Sequence, residues 1–393
     1  MSKRELLAKT LESTGLGTLF SRFVGGSTGL VVLNYHRVGD PSGSPYDRAL
    51  WSATADQFDR QVRFLKKNFD VVRIADLDDL LQGRKSRGVL ITFDDGYLDN
   101  YELAFPILKS HNASATFFIT SGFLDDRPLA WWDAIAWMVH TSPCPQIEGF
   151  SAQLPMLSLS SDRDREHAIH RLLGEFKQTP EDQTAAFLKR LAELSRTDPV
   201  KHQHTQNVWM SWEMVRNMDR AGMDIGGHTV THPVLSRCDP NRQTQEIVAS
   251  KLRIEEELGH LIAAFSYPVG QTDSFTNETK AILTEAGYRW AFSFYGGFAR
   301  SEHADVLDVP REAISPDISD SLFRSLVRSP KIFARPRLAA STDSITSSSS
   351  GAGGHFPNQN AGNVDVVDSR TNRQQGPVLT QGDLLEASLT RDD

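Results

Sequence analysis

The feature that most constrains this chain is an apolar run, Gly88-Val89-Leu90-Ile91-Thr92-Phe93, that ends abruptly in Asp94-Asp95-Gly96. A run without polar alternation reads as a strand buried on both faces. Gly29-Leu30-Val31-Val32-Leu33-Asn34-Tyr35-His36 has the same character and also runs into a polar end, and residues 115–120 (ATFFIT) give a third such strand. Helical periodicity fills the intervals at 56–68, 74–81 and, despite Pro106, at 101–111, with a short strand at Val71-Val72. After residue 210 the order repeats: helices at 211–221, 241–258 and 276–286 alternate with strands at 223–226, 262–267 and 289–294. Strands alternating with helices predict an α/β domain with a mostly parallel sheet. In such sheets chemistry gathers at the carboxyl ends of the strands, where His36 and Asp94-Asp95 fall. Residues 125–210 interrupt the alternation and read as a partly helical insertion beside the site.

The bulk properties exclude several function classes. The 393 residues carry a net charge of −8, which gives no global attraction to nucleic acid or an anionic membrane. Two cysteines, Cys144 and Cys238, make a disulfide framework improbable, although one bridge stays open. There is no apolar run of transmembrane length. The N-terminus starts basic, but Lys9 and Glu12 break any signal-peptide core, so a cytoplasmic location is expected. Residues 3–24 place Leu6, Leu7, Leu11, Leu19, Phe20 and Phe23 at helical spacing. That pattern reads as a helix packed on the domain or as a weak membrane-surface helix. The segment 337–393 is rich in Ser, Gly, Asn and Gln. From 341 onward it has seven acidic residues against three arginines and one aromatic, and it is expected to be a disordered tail.

Two motifs carry chemistry. Adjacent acids such as Asp94 and Asp95 repel, so a buried pair needs a cation or a shared proton. The alternative is a solvated Asp-Asp-Gly turn. In Gly226-Gly227-His228-Thr229-Val230-Thr231-His232-Pro233 two imidazoles stand four residues apart, on one face if the segment is a helical turn. The flanking glycines and proline favour a shaped loop instead. Alone, the pair is equally readable as two ordinary histidines. Two histidines plus one carboxylate leave positions open on a metal such as zinc for water and substrate, the pattern of a hydrolytic site. The second carboxylate is then free to take a proton.

With Thr92-Phe93-Asp94-Asp95-Gly96-Tyr97, His228-Thr229-Val230-Thr231-His232 and Phe265-Ser266-Tyr267-Pro268-Val269-Gly270 in this order, residues 29–333 resemble the polysaccharide deacetylases of the NodB-homology type, carbohydrate esterase family 4. The resemblance implies a distorted, incomplete (β/α) barrel of about seven strands. It also implies removal of N-acetyl groups from an N-acetylated glycan with a divalent metal, Zn2+ before Co2+ or Ni2+. Residue by residue it makes Asp94 the base, Asp95, His228 and His232 the metal ligands, and the backbone N–H of Val269 an oxyanion donor. Ser266 stands where many members carry the Arg that orients the base, and Arg311 is the candidate substitute, with a structural salt bridge as the alternative. No C-terminal Leu-x-His follows Arg311. Val32-Leu33-Asn34-Tyr35-His36 is similar to the opening of the poly-N-acetylglucosamine deacetylases, which makes His36 the candidate general acid.

Tyr97, Tyr267, Trp132 and Asp133 complete the candidate substrate contacts, and Cys238 reads as a buried thiol rather than a ligand. The competing readings are a glycan-binding protein without turnover, supported by Ser266, and a metal amidase or esterase acting on a non-sugar acyl group. The absence of a P-loop pattern disfavours phosphoryl transfer.

Overall fold

A computed structural model describes residues 3–14, 29–82, 84, 87–199, 208–299 and 305–334. The expected tail at 337–393, and Leu19, Phe20 and Phe23 of the N-terminal segment, lie outside the described residues. The sheet strands are β1 (Gly29–Tyr35), β2 (Asp70–Val71), β3 (Arg87–Phe93), β4 (Thr116–Ile119), β5 (Asp224–Gly227), β6 (Ala264–Ser266), β7 (Trp290–Phe292) and β8 (Glu312–Ala313). They pair in the order β7-β6-β5-β4-β3-β1-β8, with β2 also on β3, and every pairing is parallel. This is the incomplete barrel expected.

Strand parity decides what faces what. On β1, Val31, Leu33 and Tyr35 belong to the large core under the helices, while Leu30 and Val32 belong to a second cluster with Leu90, Phe118, Ala264, Phe292 and Val309. The second series continues at the carboxyl ends into polar residues: Asn34 after Val32, Thr92 and Asp94 after Leu90, Ser266 after Ala264, and Arg311 after Val309. All five are buried. The gap between β7 and β1 is bridged by residues 309–313. Val309 pairs with Phe292, and β8 pairs with Leu33 and Asn34. Sequence periodicity gave no sign of β8, which has only two residues.

The insertion folds as α1 (Trp131–Thr141), a small hairpin (Gln146–Glu148 with Met156–Ser158), α2 (Asp162–Phe176) and α3 (Glu181–Ser195). The helix expected at 101–111 begins as a wide π turn, Asn100–Ala104, before the α-helix Phe105–Ser110. Pro106 lacks the N–H that a regular turn would use, which accounts for the difference. The N-terminal helix spans Lys3–Ser13, with Arg4 bonded to Phe333 and Glu12 paired with Arg324. No helix among the described residues is long and apolar enough to cross a membrane.

Close approach of backbones makes β5 sensitive. A Cβ on Gly226 would lie 2.5 Å from the Phe118 ring and 2.8 Å from the Ala264 carbonyl. Gly226→Ala is therefore expected to destabilise the fold by about 1–3 kcal/mol, as overpacking does. Urea unfolding checks this, and an unchanged midpoint would mean that β4 and β6 yield without cost.

Candidate active site

The carboxyl ends of the strands meet around a cavity of about 230 Å³. At its floor Asp94, on the barrel-facing parity of β3, accepts from both ends of the Arg311 guanidinium, with Nη1 to Oδ1 and Nη2 to Oδ2 each at 2.8 Å. Asn34 Nδ2 adds a bond at 3.1 Å and the Ser266 hydroxyl another at 3.3 Å. Arg311 spends its remaining donors on the Ser293 carbonyl (3.0 Å), the Ser266 hydroxyl (2.8 Å) and Thr92 (3.4 Å). Burial works against ionisation of Asp94, but the Arg311 charge outweighs it and holds the carboxyl well below its usual range. Ser266 is small enough to admit this guanidinium. An arginine at 266 would compete for the same space.

Asp95 sits at φ +79°, which turns its carboxylate away from Asp94. Its Oδ1 lies 3.4 Å from His228 Nε2 and 3.5 Å from His232 Nε2. The three ligand atoms fall within 4.8 Å of one another, all on buried residues. The histidine segment is a loop rather than a helical turn. Thr229 (φ +68°) and His232 (φ +58°) bend it so that the two ring centroids come to 4.7 Å. The loop is pinned by the buried Glu246, which accepts from the N–H groups of Val230 (2.7 Å) and Thr231 (2.8 Å) and from the Thr231 hydroxyl (2.6 Å). His228 Nδ1 donates to the Ser266 carbonyl at 2.7 Å, which fixes the tautomer that leaves the Nε2 lone pair facing Asp95. Burial, then the neighbouring His228, pushes His232 down to about 3, so its imidazole stays neutral.

Asp95 Oδ1 is a buried carboxylate oxygen without a hydrogen-bond partner. Beside the Nε2 atoms of His228 and His232, that donor set fits a divalent cation with open positions. The other carboxylate-histidine group among the described residues, His140, Asp162 and Glu166, already has Arg48 between its two acids at 3.0 and 3.2 Å.

With this geometry in view, comparison with known proteins places the chain. A family profile described as polysaccharide deacetylase matches residues 82–291, more than half of its 393 residues. The chain belongs to the polysaccharide deacetylase family. A curated member, YxkH of Bacillus subtilis (strain 168), is 24% identical over 243 residues, covering 62% of this chain and 57% of YxkH. The match thus spans little more than half the length of that relative. The Streptococcus pyogenes deacetylase PplD, solved in complex with acetate, shares the fold at 18% identity and a TM-score of 0.51, over 77% of this chain and 98% of PplD. BA0330 of Bacillus anthracis does so at 17% and 0.50, over 76% of this chain and 69% of BA0330.

The remaining candidate residues divide into two groups. His36, Tyr267, Val269 and Trp132 line the cavity. The half-buried His36 ring has no side-chain hydrogen bond among the described residues and stands edge-on to Phe294, with centroids 5.5 Å apart. Val269 adopts φ +62°, rare for a β-branched residue, and its N–H has no partner among the described residues. Tyr267 turns its hydroxyl away, to the Leu307 carbonyl at 2.7 Å, and presents only its body. Tyr97 and Asp133 do not reach the cavity. Trp132 Nε1 donates to the Tyr97 hydroxyl at 2.7 Å, and Tyr97 donates to Asp133 Oδ2 at 3.0 Å, all behind His232. The expected substrate contact at Tyr97 and Asp133 is thus replaced by a structural one, because the insertion buries them against the barrel. Cys238 is buried, donates to the Val234 carbonyl at 3.6 Å, and is pushed up to about 12 by burial, so it remains a thiol. Both cysteines are free.

Sequence reasoning missed Asn34 and Glu246, and also Asp47 and Lys177, which line the cavity. Asn34 had a signal, being on the same strand parity as Leu30 and Val32 at a carboxyl end. The other three had none.

Asp133 also yields a pH prediction. Burial pushes its carboxyl up to about 7, far above the usual carboxylate range. A raised folded value means the fold favours the protonated form. That contribution is fully present below 3.8 and is lost as pH rises through about 7. Asp133→Asn is expected to shrink the drop in urea midpoint between about pH 5 and about pH 8. An unchanged drop would assign the titration to another group.

Proposed function

We propose that this protein is a metal-dependent N-deacetylase acting on an N-acetylated sugar. The observation that carries the reading is Asp95 Oδ1, buried without a hydrogen bond and facing His228 and His232, next to an Asp94 whose oxygens are already held by Arg311. Asp95, His228 and His232 would hold the cation, which supplies Lewis acidity for the acetamide carbonyl and lowers the pKa of water. Zinc suits the nitrogen and carboxylate donors, and cobalt or nickel fits the same set.

The protein's own residues do the rest. Asp94, ionised and locked in one orientation, receives the proton of the attacking water. The Val269 N–H, preset by its left-handed backbone, donates to the carbonyl oxygen as charge develops on it. His36, which lines the same cavity and has no side-chain hydrogen bond among the described residues, protonates the departing amine. The Arg311–Asp94 pair supports turnover over the reading of a glycan-binding protein, since it supplies from the segment just before β8 the group that Ser266 lacks.

The test is acetate release from a panel of N-acetyl sugars and oligosaccharides. Chelation is expected to abolish it and added Zn2+, Co2+ or Ni2+ to restore it. Asp94→Asn is expected to lower kcat by about 10²–10⁴-fold, the range for a lost general base, with bound metal retained. Full activity in Asp94→Asn, or metal binding with no acetate from any sugar, would overturn the assignment.

A further inference from the structure

Two charged side chains on the cavity wall take no part in the chemistry just described. Asp47 comes from the loop after β1, and Lys177 caps α2 of the insertion. Asp47 Oδ1 accepts from the Ala49 N–H at 3.1 Å, and its other oxygen has no partner among the described residues. The Lys177 ammonium has no hydrogen bond or ion pair among the described residues, although its stem is largely enclosed. The two charges sense each other but do not close into a salt bridge. Burial raises the Asp47 carboxyl and lowers the Lys177 amine, so each ion is held at some cost without direct compensation. Their positions are nevertheless fixed. Asp133, on α1, accepts from the Asp47 N–H at 3.1 Å, tying the Asp47 loop to the insertion that carries Lys177.

A carboxylate only accepts hydrogen bonds and an ammonium only donates them. A hydroxyl does both. An anionic ligand would be repelled by Asp47 and a cationic one by Lys177, whereas a polyol satisfies the pair. The pair and the residues Asp94, Asp95, His228 and His232 line one cavity of about 230 Å³, so a single sugar ring can turn its acetamide to the latter and hydroxyls to the former.

We propose that Asp47 and Lys177 form a hydroxyl clamp that sets the position of the N-acetylated sugar ring and thereby the substrate's stereochemistry. This rests on the deacetylase reading and deepens it. The clamp binds the ring in ground and transition states alike, so its loss raises KM more than it lowers kcat.

Lys177→Met keeps the apolar stem and removes the charge. Asp47→Asn keeps an acceptor for Ala49 and removes the charge. Each is expected to raise KM for N-acetylglucosamine about tenfold or more. Metal content should be unchanged and the melting temperature of Lys177→Met no lower than that of the parent, a pattern that a merely structural role would not give. Among the 3-, 4- and 6-deoxy analogues, the one lacking the clamped hydroxyl should be discriminated by the parent and not by either variant. If acetate is released but KM stays within about twofold in both variants, the clamp is wrong and the deacetylase reading stands. If the parent releases no acetate, that reading falls. The clamp is then judged by calorimetric binding of the same sugars to metal-loaded protein. Weaker binding in both variants supports it, while equal binding, or no binding to the parent, overturns it.

Discussion

The site depends on keeping a carboxylate and a guanidinium, 217 residues apart in the chain, together inside the sheet. Removing both ions from water is costly, and their attraction compensates only when every remaining donor and acceptor is used. Arg311 meets that condition through Ser293, Ser266 and Thr92, and Asp94 through Asn34 and Ser266. The segment that delivers Arg311 is also the one that spans the opening between β7 and β1. Closing the sheet and orienting the carboxylate are one structural event. Breaking the pair would leave a buried charge without its partner, at roughly 3–5 kcal/mol.

Ser266 couples this pair to the histidines. Its hydroxyl touches both Asp94 and Arg311, and its carbonyl receives the His228 ring. A shift of β6 would therefore disturb the ion pair and the His228 tautomer together. The two adjacent aspartates have opposite surroundings despite sharing a turn. Asp94 has one donor on Oδ1 and three on Oδ2, whereas Asp95 Oδ1 has none among the described residues. The change of backbone sign at Asp95 produces that split, since it points one carboxylate into the barrel and the other at the imidazoles.

The sheet was legible because its central strands are apolar on both faces and end in polar residues, a pattern that survives without tertiary information. Asp94, Asp95, His228 and His232 were legible because each pair is local in sequence. What could not be read was long-range or conformational. The two-residue β8 has no periodicity to detect, and a strand that short exists only because β1 is there to pair with it. The loop favoured by Gly226, Gly227 and Pro233 is present, but the left-handed values of Thr229 and His232 that set the ring positions are announced by no residue pattern. Tyr97 ends the Asp-Asp-Gly motif and Asp133 follows Trp131-Trp132 in the insertion, but neither lines the cavity. Burial by the insertion, 125–210, decides this, and helix packing on that scale is not encoded in spacing.

The departure at Ser266 admits two physical histories, loss of the base-orienting arginine or its replacement from elsewhere. Loss would leave Asp94 in a dry site with only Asn34 and Ser266 as donors, and burial would then drive its carboxyl upward towards the neutral acid. The opposite direction holds, and Arg311 is the cause. A buried ion pair is seldom the most stable filling for such a space, since apolar side chains of similar volume usually do as well or better. Its presence here, beside an unpaired Asp95 oxygen and two imidazoles, costs stability that binding alone does not require. A carboxylate kept ionised and immobile is what proton abstraction requires. The Arg311–Asp94 pair therefore weighs on the side of chemistry rather than of a fold that has given it up.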